Sequence, residues 1–312
     1  RLNARLRLFG GLRWVRDELS YDFVRDSSSA TPVTGIQTDF IASGRTVSRD
    51  LAGRFGVQAN VTDTTLVYGT YTRGYKGPAF NPAFSMLPQD TIPLAPETSD
   101  AAEIGLKSRL FDTRLTVNVA LFLQKLQDYQ VPFFDTVNNS PVTRLVNAGK
   151  VSTRGIEADI VLRAADQLTI TAAGAYTDAR IDRFNCPVGT TAACVVDGFP
   201  LTFAPKWRLN GRIDWRPALT DRLNAIVSTD INWRTDTQYS INQTPDTIEP
   251  GYAIWNANLG IATDNGLRIT FMVRNIADRS YAPSLFRFGQ GVVRFVPRDD
   301  RRFFGVNILK DF

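Results

Sequence analysis

Apolar and polar residues alternate along this chain from its first residues to its last. In 2–14, Leu2, Ala4, Leu6, Leu8, Leu12 and Trp14 share one parity, while Asn3, Arg5, Arg7 and Arg13 share the other. Successive side chains of a strand point to opposite faces, so such a segment predicts a strand with one apolar and one polar face. The pattern returns in 51–61, 102–110, 156–162, 168–176, 207–215, 223–233, 253–261 and 267–273. It is cleanest in 115–123, where Leu115, Val117, Val119, Leu121 and Leu123 alternate with Thr116, Asn118, Ala120 and Phe122. Residues 64–74 read as a strand from their β-branched and aromatic content, with mixed parity. In the last stretch, RFFGVNILKDF, Phe304, Val306, Ile308 and Phe312 form an apolar row interrupted only by Lys310. These segments predict about twelve strands, and no segment has a helical period, so the expected class is all-β.

Alternation alone fits a soluble sandwich as well as a membrane barrel, because both have a polar face. The connections separate the two. Short ones lie near 62–64, 111–113, 164–167, 217–221 and 263–266, and between them come long ones at 25–46, 75–96, 128–143, 178–204, 235–250 and 287–301. An antiparallel up-and-down barrel has short periplasmic turns and long extracellular loops, whereas Greek-key crossings have no reason to alternate in this way. Segments of about ten residues suit a tilted membrane crossing. The five tryptophans all fall in the apolar register, and Trp14, Trp215 and Trp233 come late in their segments, where an interfacial girdle would lie. With Phe312 at the periplasmic end, every short turn falls on that side and the loop containing both cysteines falls outside.

Composition narrows the chemistry. No apolar run is long enough for a membrane helix, and a mildly negative mean hydropathy is compatible with strands that hide apolar residues by alternation. The net charge of +5 comes from 36 basic and 31 acidic residues that are scattered, which is not the clustered pattern of a nucleic-acid binder. The chain has no histidine, which removes Ser-His and Cys-His catalysis and histidine-ligated metal sites. No catalytic constellation and no metal site emerge, and no cofactor is expected. The two cysteines, Cys186 and Cys194, share one long connection and read as a disulfide in an oxidising compartment, the other reading being two free thiols.

Several motifs resemble those of one family, the TonB-dependent outer-membrane receptors. YGTYTRGYKGPAFNP at 68–82 is similar to the family's "SRGYKGGGFN"-like strand end, and ETSDAAEIGLKSRLFDTRLTVNVALF at 97–122 to the hairpin that follows it. NAGKVSTRGIEADI at 147–160 resembles "NAGKARIRGVELE", and FAPKWRLNGRIDW at 203–215 and RNIADRSYAPSLF at 274–286 resemble the later strands. The resemblance implies a barrel of about 22 strands, of which roughly twelve are here. It implies that residues 1–312 are the carboxy-terminal portion of that barrel, without the plug domain, its TonB box or a signal peptide; a complete twelve-stranded barrel is the other reading. It further implies uptake of a scarce nutrient, such as a ferric siderophore or similar metal chelate, energised by the TonB complex acting on the plug. A passive porin-like channel is the alternative. The implied setting is the Gram-negative outer membrane, with its lipid and the barrel assembly machinery as partners and the terminal Phe312 as the assembly signal.

Two groups of residues are candidates for ligand contact. The polar parity carries Glu103, Glu157, Asp159, Asp214 and Asp230 together with Arg5, Arg54, Arg208, Arg212, Arg268 and Arg274. They form either a wall of compensating charges that also holds a plug, or a surface whose arginine forks bind an anionic chelate. In the long connections, Phe80, Phe84, Met86, Tyr239, Phe286 and Phe288 either cap a ligand from outside or pack among themselves.

Overall fold

The computed structural model describes residues 3–26, 39–82, 86, 88–137, 140–186, 195–288, 291–298 and 300–311. Among the described residues nineteen strands follow one another: β1 (Leu6–Arg25), β2 (Phe40–Asn60), β3 (Thr65–Lys76), β4 (Glu97–Leu110), β5 (Leu115–Gln127), β6 (Gln130–Val137), β7 (Ser140–Asn147), β8 (Gly149–Ala165), β9 (Leu168–Phe184), β10 (Trp207–Trp215), β11 (Ala218–Thr220), β12 (Leu223–Arg234), β13 (Thr237–Gln238), β14 (Ile248–Glu249), β15 (Tyr252–Thr263), β16 (Leu267–Arg274), β17 (Ser284–Phe288), β18 (Gly291–Phe295) and β19 (Phe303–Lys310). Twelve of them make one antiparallel wall in the order β1-β2-β3-β4-β5-β8-β9-β10-β12-β15-β16-β19, with β11 as a short annex on β12. The remaining strands form the small hairpins β6–β7, β13–β14 and β17–β18. Among the described residues no strand crosses over another, so the short turns share one end of the wall and the long connections share the other. The expected up-and-down order of twelve strands is what the wall shows. Among the described residues β1 and β19 are its two edges, so the sheet is open.

Register carries like residues to like across the whole wall. One row of cross-strand partners runs Leu6, Ala59, Val67, Leu106, Val119, Ala158, Gly174, Leu209 and Trp233. The next row runs Arg7, Gln58, Tyr68, Gly105, Ala120, Glu157, Ala175, Arg208 and Arg234. A slip of one residue in any strand would put its polar set among apolar neighbours, which is why register is strongly specified here. The apolar face is exposed: Leu12, Trp14, Phe55, Ile104, Leu259, Val306 and Ile308 all stand open. An exposed apolar belt this continuous is far larger than a soluble protein tolerates and is what a lipid-facing wall presents. Nine-residue β10 measures it, with Trp207 and Trp215 exposed at its two ends. At about 3.3 Å per residue the strand is roughly 26 Å long, and a tilt of about 40° leaves roughly 20 Å along the membrane normal. The two indole rings extend that height toward the apolar band of a membrane barrel.

On the polar face aromatic rings lie flat over glycines. A Cβ on Gly56 would fall 2.3 Å from the Phe9 ring, and one on Gly105 would fall 2.5 Å from Tyr68. Only glycine leaves room for these rings against the wall, and Arg54 stacks over Phe9 at 5.4 Å.

Candidate functional site

Two structures could meet a ligand: the polar face of the wall and the layer of connections at its long-loop end. On the polar face most acids have a partner. Tyr68 donates to Glu103 at 2.7 Å, Asn118 to Asp159 at 2.6 Å, and Arg212 makes a two-pronged bond to Asp214 at 2.6 Å. Asp230 accepts from Asn256 at 2.8 Å and faces Arg274 at 4.0 Å, and Arg268 faces Asp311 at 3.6 Å. Arg208 donates to the Phe203 carbonyl at 3.3 Å, Glu157 stands exposed in the same row, and Arg5 lies in the bend before β1. The structure thus brings the predicted charges of this set that lie in strands onto one side, in small local groups spread along the wall, with Arg5 outside the ladder.

The long connections are tied to one another. Val131 and Phe133 of β6, Ala148, Ile181 and Phe184 at the far end of β9, Val196 and Ile241 form one buried cluster, with Tyr129, Val146 and Leu201 packed against it. Three connections therefore share a core outside the wall: 128–148, 185–206 and 235–251. Burial pushes the Tyr129 phenol above its ordinary titration range, and the nearby Glu97 carboxylate adds to the shift. A second cluster joins Tyr239 to Ala282 and Leu285. There Tyr239 receives Arg234 at 2.7 Å and donates to the Ala282 carbonyl at 3.1 Å, while Phe203 meets its ring edge-on at 5.0 Å. Glu249 accepts from the Ala282 amide at 3.0 Å and pairs with Arg294 at 3.2 Å.

Asparagines do the clamping, and sequence reasoning missed them. Asn81 accepts from the Leu145 amide at 2.8 Å and donates to the Leu145 carbonyl at 2.9 Å, which copies a rung of sheet with a side chain. Asn147 treats Ala95 the same way, at 2.8 and 3.0 Å, and also donates to the Asp128 carbonyl at 2.7 Å. Buried Asn275 donates to the carbonyls of Arg279 and Asp300 at 2.8 and 2.7 Å. Buried Arg144 reaches Asp90 at 3.4 Å, and Gln130 donates to the carbonyls of Gly77 and Ala95. Two residues after Asn147, Gly149 sits at φ +97, where a Cβ would fall 2.5 Å from the Arg183 carbonyl oxygen. The signal was available: Asn81, Asn147 and Asn275 all lie inside the motifs quoted above, at strand ends or in loops where a short amide can replace a backbone partner.

The predicted loop residues divide. Phe80, Met86 and Tyr239 are buried, Met86 at 1% exposure, and Arg25 donates to the Met86 carbonyl at 2.9 Å. Phe286 is half-buried in β17 and Phe288 ends that strand. Cys186 is exposed. Phe84, Cys194 and Phe312 lie outside the described residues.

Residues 1–276 match the model of the TonB dependent receptor-like β-barrel family. The chain belongs to the TonB-dependent receptor β-barrel family. It is 26% identical over 262 residues to the ferric-pyoverdine M114 receptor PbuA of Pseudomonas sp. (strain M114), covering 82% of this chain and 29% of that receptor. Its fold is that of solved TonB-dependent receptors. Against the ferric yersiniabactin uptake receptor FyuA of Yersinia pestis the TM-score is 0.80 at 20% identity, over 100% of this chain and 44% of that one. Against the siderophore receptor PiuA of Acinetobacter baumannii it is 0.73 at 17% identity, over 99% and 41%. The chain thus spans less than half the length of these relatives. Its place is the outer membrane, and for a TonB-dependent receptor barrel the apolar face is the lipid face and the polar face the lumen.

Proposed function

We propose that this chain is the wall-and-loop portion, the carboxy-terminal part, of a receptor that imports a ferric siderophore or similar metal chelate through the outer membrane, energised by the TonB complex. The carrying observation is the family match over residues 1–276, joined to relatives whose names specify ferric siderophores. In this reading the long connections face outward and a plug supplied by another part of the protein fills the lumen. Arg54, Arg208, Arg212 and Arg268 line that lumen and offer guanidinium forks to an anionic chelate or to the plug. In this reading Phe286 and Phe288 of β17 meet the chelate from the outward side. Phe80, Met86 and Tyr239 hold the loop layer in shape. Cys186 and Cys194 are bonded to each other in an outward loop. The barrel assembly machinery reads Phe312. In this reading the protein is a transporter that does no chemistry on its cargo.

Uptake of a radiolabelled ferric siderophore by cells carrying the full-length protein, with and without TonB, tests this. Loss of uptake without TonB is expected. Undiminished uptake, or steady ion conductance of the purified receptor in a planar bilayer, would establish a passive channel instead.

A further inference from the structure

The lipid face ends, on the long-loop side, in a row of charges. Outward apolar residues run up to Trp14 in β1, Leu51 in β2, Tyr71 in β3, Ala102 in β4, Leu123 in β5, Ile156 in β8 and Tyr176 in β9. The next outward residues are Arg16, Arg49, Arg73, Asp100, Lys125, Arg154 and Asp178. Where these face each other across the ladder, the signs are opposite: Arg73 with Asp100, Asp100 with Lys125, Arg154 with Asp178. Asp178 also takes Arg180 at 2.9 Å beside Arg154 at 3.0 Å, so that stretch compensates itself.

The β1–β2 hairpin breaks the rule. Arg16 lies directly opposite Arg49. Like charges in that position repel. Arg45, opposite Ser20, adds a third cation on the same face. Among the described residues Glu18 is the one acid bonded here: it takes Arg16 at 2.9 Å and also Arg45, and Asp22, opposite Ser43, stands farther from the membrane belt. Among the described residues Arg49 has no ion pair. Arg16 and Arg45 keep side-chain exposures of 43% and 67%. Immediately beneath them Trp14 and Leu51 face each other, 65% and 47% exposed.

Among the described residues these guanidinium groups outnumber the acids beside them, and on the rim of an apolar belt they are the complement of an amphiphile with an anionic head. We propose that Arg16, Arg45 and Arg49 seat a phosphate-bearing lipid headgroup of the adjoining leaflet, whose acyl chains run down over Trp14, Leu51 and Phe55. Arginine suits the task because its planar fork holds two phosphate oxygens at once. The site lies outside the lumen and does not depend on which nutrient is carried.

The test uses the purified full-length receptor in detergent, with bound diphosphoryl lipid A counted by native mass spectrometry. The wild type is expected to retain the lipid, and the double variant Arg16→Gln/Arg49→Gln to lose affinity by at least about tenfold, equivalent to ~1.4 kcal/mol. Arg154→Gln, in the self-compensated stretch, is expected to bind like the wild type. Excess inorganic phosphate is expected to leave the lipid bound, because it lacks the chains that hold the apolar rim. Equal binding by the double variant, equal loss in Arg154→Gln, or displacement by inorganic phosphate alone would overturn the proposal. Should the double variant fail to reach the membrane, Arg49→Gln alone is read in the same assay. Arg49 is exposed and unpaired, so unchanged binding there overturns the proposal as well.

Discussion

Replacing Val119 with arginine tests the facing of the wall at its most sensitive point. Val119 is the third of five outward apolar residues in β5, between Leu115 and Leu123, and its ladder partners are Leu106 and Ala158. It therefore sits near the middle of a belt whose height β10 sets at roughly 20 Å, about 10 Å from water on either side. An arginine there is too deep to reach the interface fully, and its cost is about 2–4 kcal/mol. The neighbouring Asn118 points to the lumen, donates to Asp159 and lies opposite Lys107. Asn118→Arg loses one hydrogen bond, gains a pairing with Asp159 and adds repulsion from Lys107; the net is about 1 kcal/mol or less, because exposed pairs are weak. The assay is guanidinium unfolding of the full-length receptor in lipid vesicles, followed by tryptophan fluorescence, with heat-modifiable gel mobility as a check on folding. Equal destabilisation by the two variants, or a larger effect at Asn118, would refute the facing and with it the register.

Asn81→Ala leaves the Leu145 amide and carbonyl without their side-chain partner; a loss of about 1–3 kcal/mol of local stability is expected, read as faster hydrogen exchange in 128–148 while β3 and β4 stay protected. Phe133→Ala opens the shared loop core, at about 3–5 kcal/mol, and is expected to expose 185–206 to proteolytic nicking while the wall stays intact. Cys186 and Cys194 are expected to resist alkylation until a reductant is added, and a mass shift without reductant would show free thiols. Tyr129 ionises above its ordinary pKa in the folded protein, so its contribution is full below the unfolded value near 10 and is lost as pH rises beyond it; alkaline loosening of the loop layer should be weaker in Tyr129→Phe, measured by loop proteolysis against pH.

The wall was legible because lipid on one side and water on the other write a period of two into every crossing. Val117, Val119 and Leu121 need no tertiary information to declare their face. Legibility stops where the lipid stops. The alternation stops at Trp14, yet β1 continues to Arg25, where the long connection was expected to begin. Beyond Trp14 both faces carry charges, such as Asp17 and Glu18, so hydropathy no longer alternates although the backbone ladder does. The β6–β7 hairpin was hidden for another reason. Pro132 and Pro141 argue against a central strand, but in a two-stranded hairpin each lacks a partner on one side and is tolerated. The local charge groups of the lumen could be placed on a face by parity, whereas the buried positions of Met86 and Tyr239 depend on contacts between distant connections and leave no periodic trace.

The asparagine clamps also bear on how such a protein diversifies. A hairpin wall accepts exchange of one loop at a time, since each strand pair is self-sufficient. Here Asn81 and Asn147 bind backbone atoms of a connection other than their own, so inheritance of a new loop brings an unmatched partner with it. Variation at 77–96 is thus coupled to variation at 128–148. A recombinant that swaps both segments together keeps its rungs, while one that swaps either alone forfeits them. Shuffling libraries built on this scaffold should treat the two stretches as a single cassette.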